Sequence, residues 1–386
     1  MLVALTIIFL TIIYVGTLLL FMAGMTVRRR GMHTQRHRIS IIIAARNEEK
    51  NIGNILTDLA NQSYDKGWYE VIIANDHSSD KTVDVIEQHS ARHANFKLVN
   101  MQMFPPRFTP KKWALQKAVE MASGDIILAT DADCRVGSRW IETMASYFSP
   151  AVGFVIGFSQ FGARGASQNL IERFQAFDFL TLMGAAAGST NLGLPLAASG
   201  QNLGYRKTAF QQIGGYQKVA HRVSGDDVLL LQLIRKYSKM KIIFAADPAA
   251  FAVSEPQPTL KALINQRKRW ASNGIVQLKL NIIFFLYLLQ VLLFNAMLLV
   301  ALVAALCTGQ HLDLVLGCVT VRVVSEFAFA LKSALYFKRT DLLKYFPLWF
   351  IIQIPYIVGI GLAGTFGKFQ WKEREHSAQV KSPAAP

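Results

Sequence analysis

Residues 2–24, LVALTIIFLTIIYVGTLLLFMAG, contain no charged side chain, and no other feature limits the possible folds so strongly. At about 1.5 Å per residue they make a helix of roughly 35 Å, enough to cross a bilayer. A cleaved secretory signal has a basic start and a shorter apolar core. Here the basic cluster Arg28, Arg29 and Arg30 follows the apolar run, so the segment reads as a retained anchor. The positive-inside rule then places Met1 outside and the chain after Arg30 in the cytoplasm.

A second apolar region begins beyond Leu280. Residues 282–306 are uncharged and long enough to span, whereas 312–337 carry Arg322, Glu326 and Lys332. Charges inside a membrane are expensive, and these can pair within a bundle. Residues 345–366 are apolar with Pro347, Pro355 and several glycines. Lys338, Arg339 and Lys344 ask to be cytoplasmic, and so do Lys368, Lys372 and Arg374. Three full spans cannot satisfy both clusters, so the last segment is the one expected to re-enter or to lie in the interface. The tail after Ser377 reads as disordered.

With 386 residues, 52% of them hydrophobic, and a mean hydropathy of +0.27, the chain has more apolar surface than a globular protein usually buries. Its net charge of +16, from 41 Lys+Arg against 25 Asp+Glu, suits an anionic bilayer surface or phosphorylated substrates. No Cys/His finger, RNA-binding signature or isolated basic helix accompanies that charge, which argues against nucleic acid. The three cysteines, Cys134, Cys307 and Cys318, form no CxxC pair and point to neither disulfides nor zinc. Cys134 reads as a small packed residue.

Between the apolar regions the pattern is α/β. ISIIIAAR (39–46) is a β-branched run ending at Asn47 and Glu48, and a helix to about Ala60 follows, with Ile52, Ile55, Leu56 and Leu59 on one face. YEVIIAND (69–76) is a second strand ending in Asp76, with Asp80 as a candidate N-cap for the next helix. FKLVN (96–100) is a third strand, and a helix around Trp113–Ala122 leads to DIILATDADCR (125–135). There a buried strand runs into Asp131 and Asp133. Strands alternating with helices predict a mostly parallel sheet, and ligands of such sheets sit beyond the carboxyl ends of the strands. Two carboxylates one residue apart repel unless a cation lies between them. Hard oxygen ligands of this kind suit Mg²⁺ or Mn²⁺ bridging to substrate phosphates; taken alone, the pair also reads as a helix cap or an acidic turn.

Further along, 152–158 reads as a strand, 168–187 as an apolar-rich helix and 241–247 as a strand. Asp226 and Asp227 precede VLLLQLI at a helix N-terminus, where negative charge is favoured. Capping explains one of them. A cationic helix near Thr259–Gly274 contains Gln266, Arg267, Lys268, Arg269 and Trp270.

In order, IIIAARNEE, IIANDHSSDKT, TDAD, GDD and QRKRW, which fits QxxRW, resemble the motifs of membrane-bound family 2 glycosyltransferases, inverting enzymes with a GT-A fold. The resemblance spans about Ile39 to Trp270. It implies an α/β GT-A nucleotide-diphospho-sugar transferase fold with transmembrane helices at both ends. Asp76 would bind the donor's base, with Glu48 nearby. Asp131 and Asp133 would contact the ribose and hold Mg²⁺ or Mn²⁺, Asp133 being the stronger metal candidate. Asp227 would be the general base, tuned by Asp226. Gln266, Arg269 and Trp270 would close over the donor, the indole also offering a wall to the sugar. The bland reading of that cluster is a basic helix on anionic lipid, in particular for Arg267 and Lys268. Lys111 is similar to the family's nucleotide-side lysine, but Pro110 replaces the glycine before it, which leaves Lys111 and Lys112 both open. Gln201 and Asn202, in SGQNLGYRK, read either as acceptor contacts or as a structural turn.

The expected organisation is an anchor at 1–27, a cytoplasmic transferase domain at 36–275, a membrane region of two to three helices at 280–370 and a basic, disordered tail at 371–386. The expected function is transfer of a sugar from a nucleotide-diphosphate donor, by default a UDP-sugar, to a lipid, lipid-linked or saccharide acceptor. This would take place at a cell inner or plasma membrane, in glycolipid or envelope polysaccharide synthesis. The alternatives are a processive polysaccharide synthase that exports its product and a scaffold that has lost activity; the intact acidic set argues against the last.

Overall fold

A computed structural model describes residues 2–102, 105–163, 165, 169–371 and 374–377. The chain forms two compact units: Arg28–Ala163 with Gly193–Glu255, and Met1–Val27 with Arg164–Leu192 and Pro256–Pro386. Residues 164–192 and 256–275, placed in the transferase domain by the sequence reading, thus cluster with the apolar helices.

The first unit is built on ten strands: β1 (Ile39–Ala45), β2 (Tyr69–Asn75), β3 (Phe96–Asn100), β4 (Ile126–Ala129), β5 (Cys134–Val136), β6 (Val152–Gly157), β7 (Ser159–Phe161), β8 (Leu203–Arg206), β9 (Lys241–Ala245) and β10 (Ala252–Ser254). Seven form the main sheet in the order β3-β2-β1-β4-β8-β6-β9. β1 pairs in parallel with β2 and β4, and β2 with β3. β8 runs antiparallel to both β4 and β6, so the sheet is mixed. β5, β10 and β7 make a small second sheet.

The β-branched runs earn central positions because both faces are covered: every residue of β2 is buried, and all but one of β1. Ile41 and Ile43 share a core with Ile52, Ile55, Leu56 and Leu59 of the helix Ile52–Ala60. The helix Thr82–Arg92 has Lys81, not the expected Asp80, at its N-cap; the Asp80 carboxylate still accepts the Thr82 amide at 3.0 Å. Register then positions the acidic residues. Ala45 pairs with Asn75, and Ile42 with Ala129, so Glu48, Asp76, Asp131 and Asp133 all leave the sheet at one edge.

Among the described residues of the second unit, four helices are long and apolar enough to cross a membrane: Leu2–Gly24, Ile282–Thr308, Leu312–Tyr336 and the one ending the run Thr340–Phe366. Gly24 and Gly188 let the first helix meet the helix Leu170–Asn191 backbone to backbone, since a Cβ on Gly24 would lie 2.0 Å from the Gly188 carbonyl oxygen. Arg322 Nε pairs with Glu326 at 2.9 Å, its Nη2 donates to Gln353 at 2.6 Å, and the Tyr14 hydroxyl donates to Glu326. Arg322 and Glu326 thus pair inside the bundle. Residues 345–366, despite their prolines and glycines, contain one continuous helix, Phe346–Phe366, with Pro355 inside it. Lys368–Trp371 and Arg374–Ser377 pair as antiparallel strands, so the start of the expected tail is a hairpin; residues 378–386 lie outside those described.

Candidate active site

Two residues with left-handed backbone mark the sheet edge. Asn47 has φ 54° just beyond β1, and His77 has φ 57° just beyond β2. Non-glycine residues adopt this conformation at a cost that neighbouring contacts must offset. Asn47 Oδ1 accepts the Ser79 amide at 2.9 Å, and His77 Nδ1 lies 3.0 Å from Asp76 Oδ1. The Asp76 amide donates to the Ala45 carbonyl at 2.8 Å, tying the ends of β1 and β2 together. Asp76 is buried, with Arg46 4.0 Å away. Arg46 follows β1 directly; the sequence reading passed over it because one arginine after a strand carries no motif.

Lys111 is the cation between the carboxylates. Pro110 opens the helix Pro110–Met121, and the next residue reaches Asp131 Oδ1 at 3.0 Å and Asp226 Oδ2 at 2.9 Å. Burial works against its ammonium, but the charges of Asp131 and Asp226 outweigh it and push the lysine's pKa up. Lys112 points elsewhere. It is fully buried and donates to the Arg222 and Ser224 carbonyls, and burial brings its pKa down to about 8. Lys112 therefore pins the loop leading to Asp226, and the choice left open between the two lysines falls on Lys111 as the residue at the carboxylates.

Asp226 and Asp227 separate in character. Burial alone would raise Asp226; Lys111 and then Lys112 outweigh it and bring its carboxyl down to about 2. Asp227 caps the helix Val228–Tyr237, accepting the Val228 amide at 2.6 Å and, across the chain, the Gly200 amide at 2.9 Å. Burial, and next the charge of Asp226, push its pKa up. Gly200 is a second residue that sequence reasoning missed; only its place beside Gln201 hinted at it.

Asp133 is pushed up to about 7, by burial first and then by the charges of Asp131 and Glu48. Asp131 and Asp133 are hard oxygen donors, with the Lys111 ammonium against Asp131. Among the described residues no three His, Cys, Asp or Glu side chains gather into a ready-made metal cage. Asp131 and Asp133 would supply the one or two carboxylates that Mg²⁺ or Mn²⁺ needs, with substrate phosphates and water completing the shell. Cys134, buried beside them, has its thiol pKa raised by burial and then by Asp133, as an inert packed residue should.

The two candidate acceptor contacts part company. Asn202 is fully buried: its Oδ1 accepts Trp140 Nε1 at 3.0 Å and its Nδ2 donates to Phe158 and Ala250 carbonyls at 2.8 and 2.7 Å. Its amide is committed to the fold, which favours the structural-turn reading over the acceptor contact. Gln201 is buried with Oε1 lacking a hydrogen-bond partner, while its carbonyl accepts the Thr130 hydroxyl at 2.9 Å.

Gln266, Arg269 and Trp270 belong to the helical unit, on Leu260–Ala271. Trp270 packs against Phe179 at 5.9 Å, and the Arg267 guanidinium sits 4.2 Å from the Trp270 ring centroid. Arg267 is buried, pairs with Asp178 at 2.9 Å and donates to the Tyr356 hydroxyl at 2.8 Å. The reading of Arg267 as a lipid-surface charge is thereby corrected. Asp178, which also accepts Trp349 Nε1 at 3.1 Å, was missed, although a lone carboxylate in an apolar helix was its signal.

A family model described as glycosyl transferase family 21 matches residues 3–373. The probable glycosyltransferase YdaM of Bacillus subtilis is 30% identical over 159 residues, 39% of this chain and 36% of that protein. A beta-monoglucosyldiacylglycerol synthase of Trichormus variabilis is 32% identical over 110 residues, 28% of this chain and 23% of the synthase. The matches thus span about a quarter to a third of those relatives. The mannosyltransferase PcManGT from Pyrobaculum calidifontis, solved in complex with GDP-Man and Mn²⁺, superposes with a TM-score of 0.64 at 17% identity, over 94% of this chain and 98% of its own. The α/β fold is that of GT-A glycosyltransferases.

Proposed function

The chain belongs to glycosyl transferase family 21 and is a glycosyltransferase; from that premise we propose that it transfers one sugar, with inversion, from a nucleotide-diphosphate sugar to a lipid acceptor at the cytoplasmic surface of a bilayer. The observation that carries the reading is the chain Asp131–Lys111–Asp226, with both contacts near 3 Å, because it joins donor-side carboxylates to the Asp226/Asp227 pair in one constellation. A lipid acceptor is supported by the four apolar helices and by the similarity to a glucosyldiacylglycerol synthase.

Asp227 is the general base. Its raised pKa makes it a better proton acceptor than Asp226, whose ion pair with Lys111 and low pKa leave it little basicity. The two backbone amides on Asp227 aim the carboxylate. It takes the proton of the acceptor hydroxyl as that oxygen attacks the anomeric carbon from the face opposite the leaving group. The new C–O bond forms while the bond to the diphosphate breaks, and the nucleotide diphosphate leaves with the electron pair. Asp226 fixes Lys111 near the diphosphate. Mg²⁺ or Mn²⁺, held by Asp133 and Asp131, would neutralise the diphosphate as it departs. Asp76 and Glu48 bind the nucleoside, and the free Gln201 Oε1 offers the acceptor a hydrogen bond.

The test is incubation of the full-length protein in membranes with nucleotide sugars and extracted lipids. The expected product is a lipid carrying one sugar, lost on chelation and restored by Mn²⁺ or Mg²⁺. Long polymer without glycolipid, or transfer indifferent to chelation, refutes the reading.

A further inference from the structure

The helix Phe346–Phe366 is long enough to cross a bilayer, yet its contacts within the helical unit place both of its ends near the same face. The frame is set by three helices. The C-terminal ends of Leu2–Gly24 and Leu312–Tyr336 lie at the N-terminal end of Ile282–Thr308. Asn191 donates to both the Gly24 carbonyl and the Tyr336 hydroxyl, and Phe21 packs on Tyr287 at 5.5 Å. Depth from this face can be counted along the helices at about 1.5 Å per residue.

Phe346 packs on Phe327 at 5.1 Å, and Phe327 is about 14 Å from the Tyr336 end. Gln353 bonds Arg322, about 21 Å from that end. Beyond Pro355 the contacts of the same helix lie closer to that face again. A Cβ on Gly361 would lie 2.9 Å from Leu292, about 15 Å from Ile282. A Cβ on Gly364 would lie 2.5 Å from Ala271, on the helix that leads, through Gln277–Leu280, into Ile282. The strand Lys368–Trp371 then runs beside that same helix, Leu260–Ala271. A crossing helix of this length would separate its ends by roughly 30 Å along the bilayer normal. Here both ends lie within about 14 Å of one face.

We propose that Phe346–Phe366 is a re-entrant helix that enters and leaves the bilayer on the Gly24 side, buried in the acyl chains of that leaflet. Its outward face fits this partner: Ile351 is 73% exposed, Leu362 50% and Phe366 70%, whereas Phe346, Trp349, Gln353 and Ile354 face the protein. Its inward face carries Trp349 and Tyr356, which with Asp178 hold Arg267. The helix bearing Gln266, Arg269 and Trp270 is therefore moored to a lipid-embedded element. This topology also places Lys368 on the side of Lys338 and Lys344, satisfying the positive-inside rule with three crossings.

The experiment introduces single cysteines by Gln310→Cys, Thr340→Cys and Lys368→Cys into the full chain carrying Cys134→Ala, Cys307→Ala and Cys318→Ala, and labels sealed vesicles of known orientation with a membrane-impermeant maleimide. Cysteines at 340 and 368 are expected to label from one face and that at 310 from the other. Labelling of 368 together with 310 overturns the proposal. Should the cysteine-free background misfold, an epitope inserted at Gln310 and another appended after Pro386 in the native chain, probed before and after permeabilisation, decide the same question: both on one face overturns it.

Discussion

Replacing Asp227 by Asn, beside the matching change at Asp226, separates the proton acceptor from the residue that holds Lys111. In Asp227→Asn the side chain keeps one oxygen for either the Gly200 or the Val228 amide, and its NH₂ opposes the other. That lost bond to a charged acceptor costs about 1.5–3 kcal/mol, but the substitution also removes a carboxylate that its buried position beside Asp226 disfavours. The two effects oppose each other, so folding stability should change little. Turnover should fall by about 10²–10⁴-fold for loss of a general base, about 2.7–5.4 kcal/mol of barrier. Asp226→Asn behaves differently. It removes a 2.9 Å ion pair whose members are 12% and 22% exposed. The cost, about 1.5–3 kcal/mol, stays below the ~3–5 of a wholly broken buried pair, because Asp131 still holds Lys111 at 3.0 Å. Sugar transfer, donor affinity and thermal unfolding should be measured on both variants. Near-native donor affinity and melting with abolished transfer is expected of Asp227→Asn, and a lowered melting temperature of Asp226→Asn. The sign for pH follows from the same shift. Because the folded pKa of Asp227 lies above the ordinary value, ionising it costs folding free energy, while catalysis needs the ionised form. Activity should therefore fail on the acid side above the roughly 3.9 of a free aspartate. An Asp227→Asn enzyme within tenfold of wild type would refute the assignment.

Two further outcomes follow from buried polar contacts. Arg322→Leu or Glu326→Gln alone should destabilise the helical unit by about 3–5 kcal/mol, and the double change Arg322→Leu/Glu326→Leu by less, because only the single changes strand a buried charge, the double change leaving the neutral Tyr14 hydroxyl and Gln353 amide without these partners; detergent-solubilised melting curves check this, and equal damage from single and double variants argues against it. Asn202→Ala removes the partner of Trp140 Nε1 and of the Ala250 carbonyl, at about 1–3 kcal/mol each, while the Phe158 carbonyl keeps the Ala252 amide. It should lower stability while leaving the acceptor KM of the folded fraction unchanged, so a raised KM would return Asn202 to the acceptor site.

The parts of the fold that were legible in the sequence are those set by local pattern. ISIIIAA and YEVIIAN announce buried strands because β-branched side chains fill both faces of a covered sheet, and the uncharged runs announce helices. β8 was not legible. LGYR has no alternation that separates strand from turn, and its antiparallel place between β4 and β6 is decided by partners about 50 and 75 residues away in sequence. Such pairings leave no local trace.

The site divides along a similar line. Carboxylates at strand ends are visible because a charge following an apolar run has few structural uses. Which of two adjacent lysines meets them is a matter of helix phase: the first residue after Pro110 points to Asp131 and Asp226, the second to two carbonyls. Phase also explains Arg267. Charge alone assigns it to a surface, yet Leu263, one turn earlier, is buried on the same face, and residues four apart share a face. A basic residue on a buried stripe requires a buried acid, and Asp178, isolated in its apolar helix, requires a buried base. Neither requirement is decisive alone. Together they specify one another, which makes complementary misplaced charges in separate segments a better guide to tertiary contact than the charge of either segment.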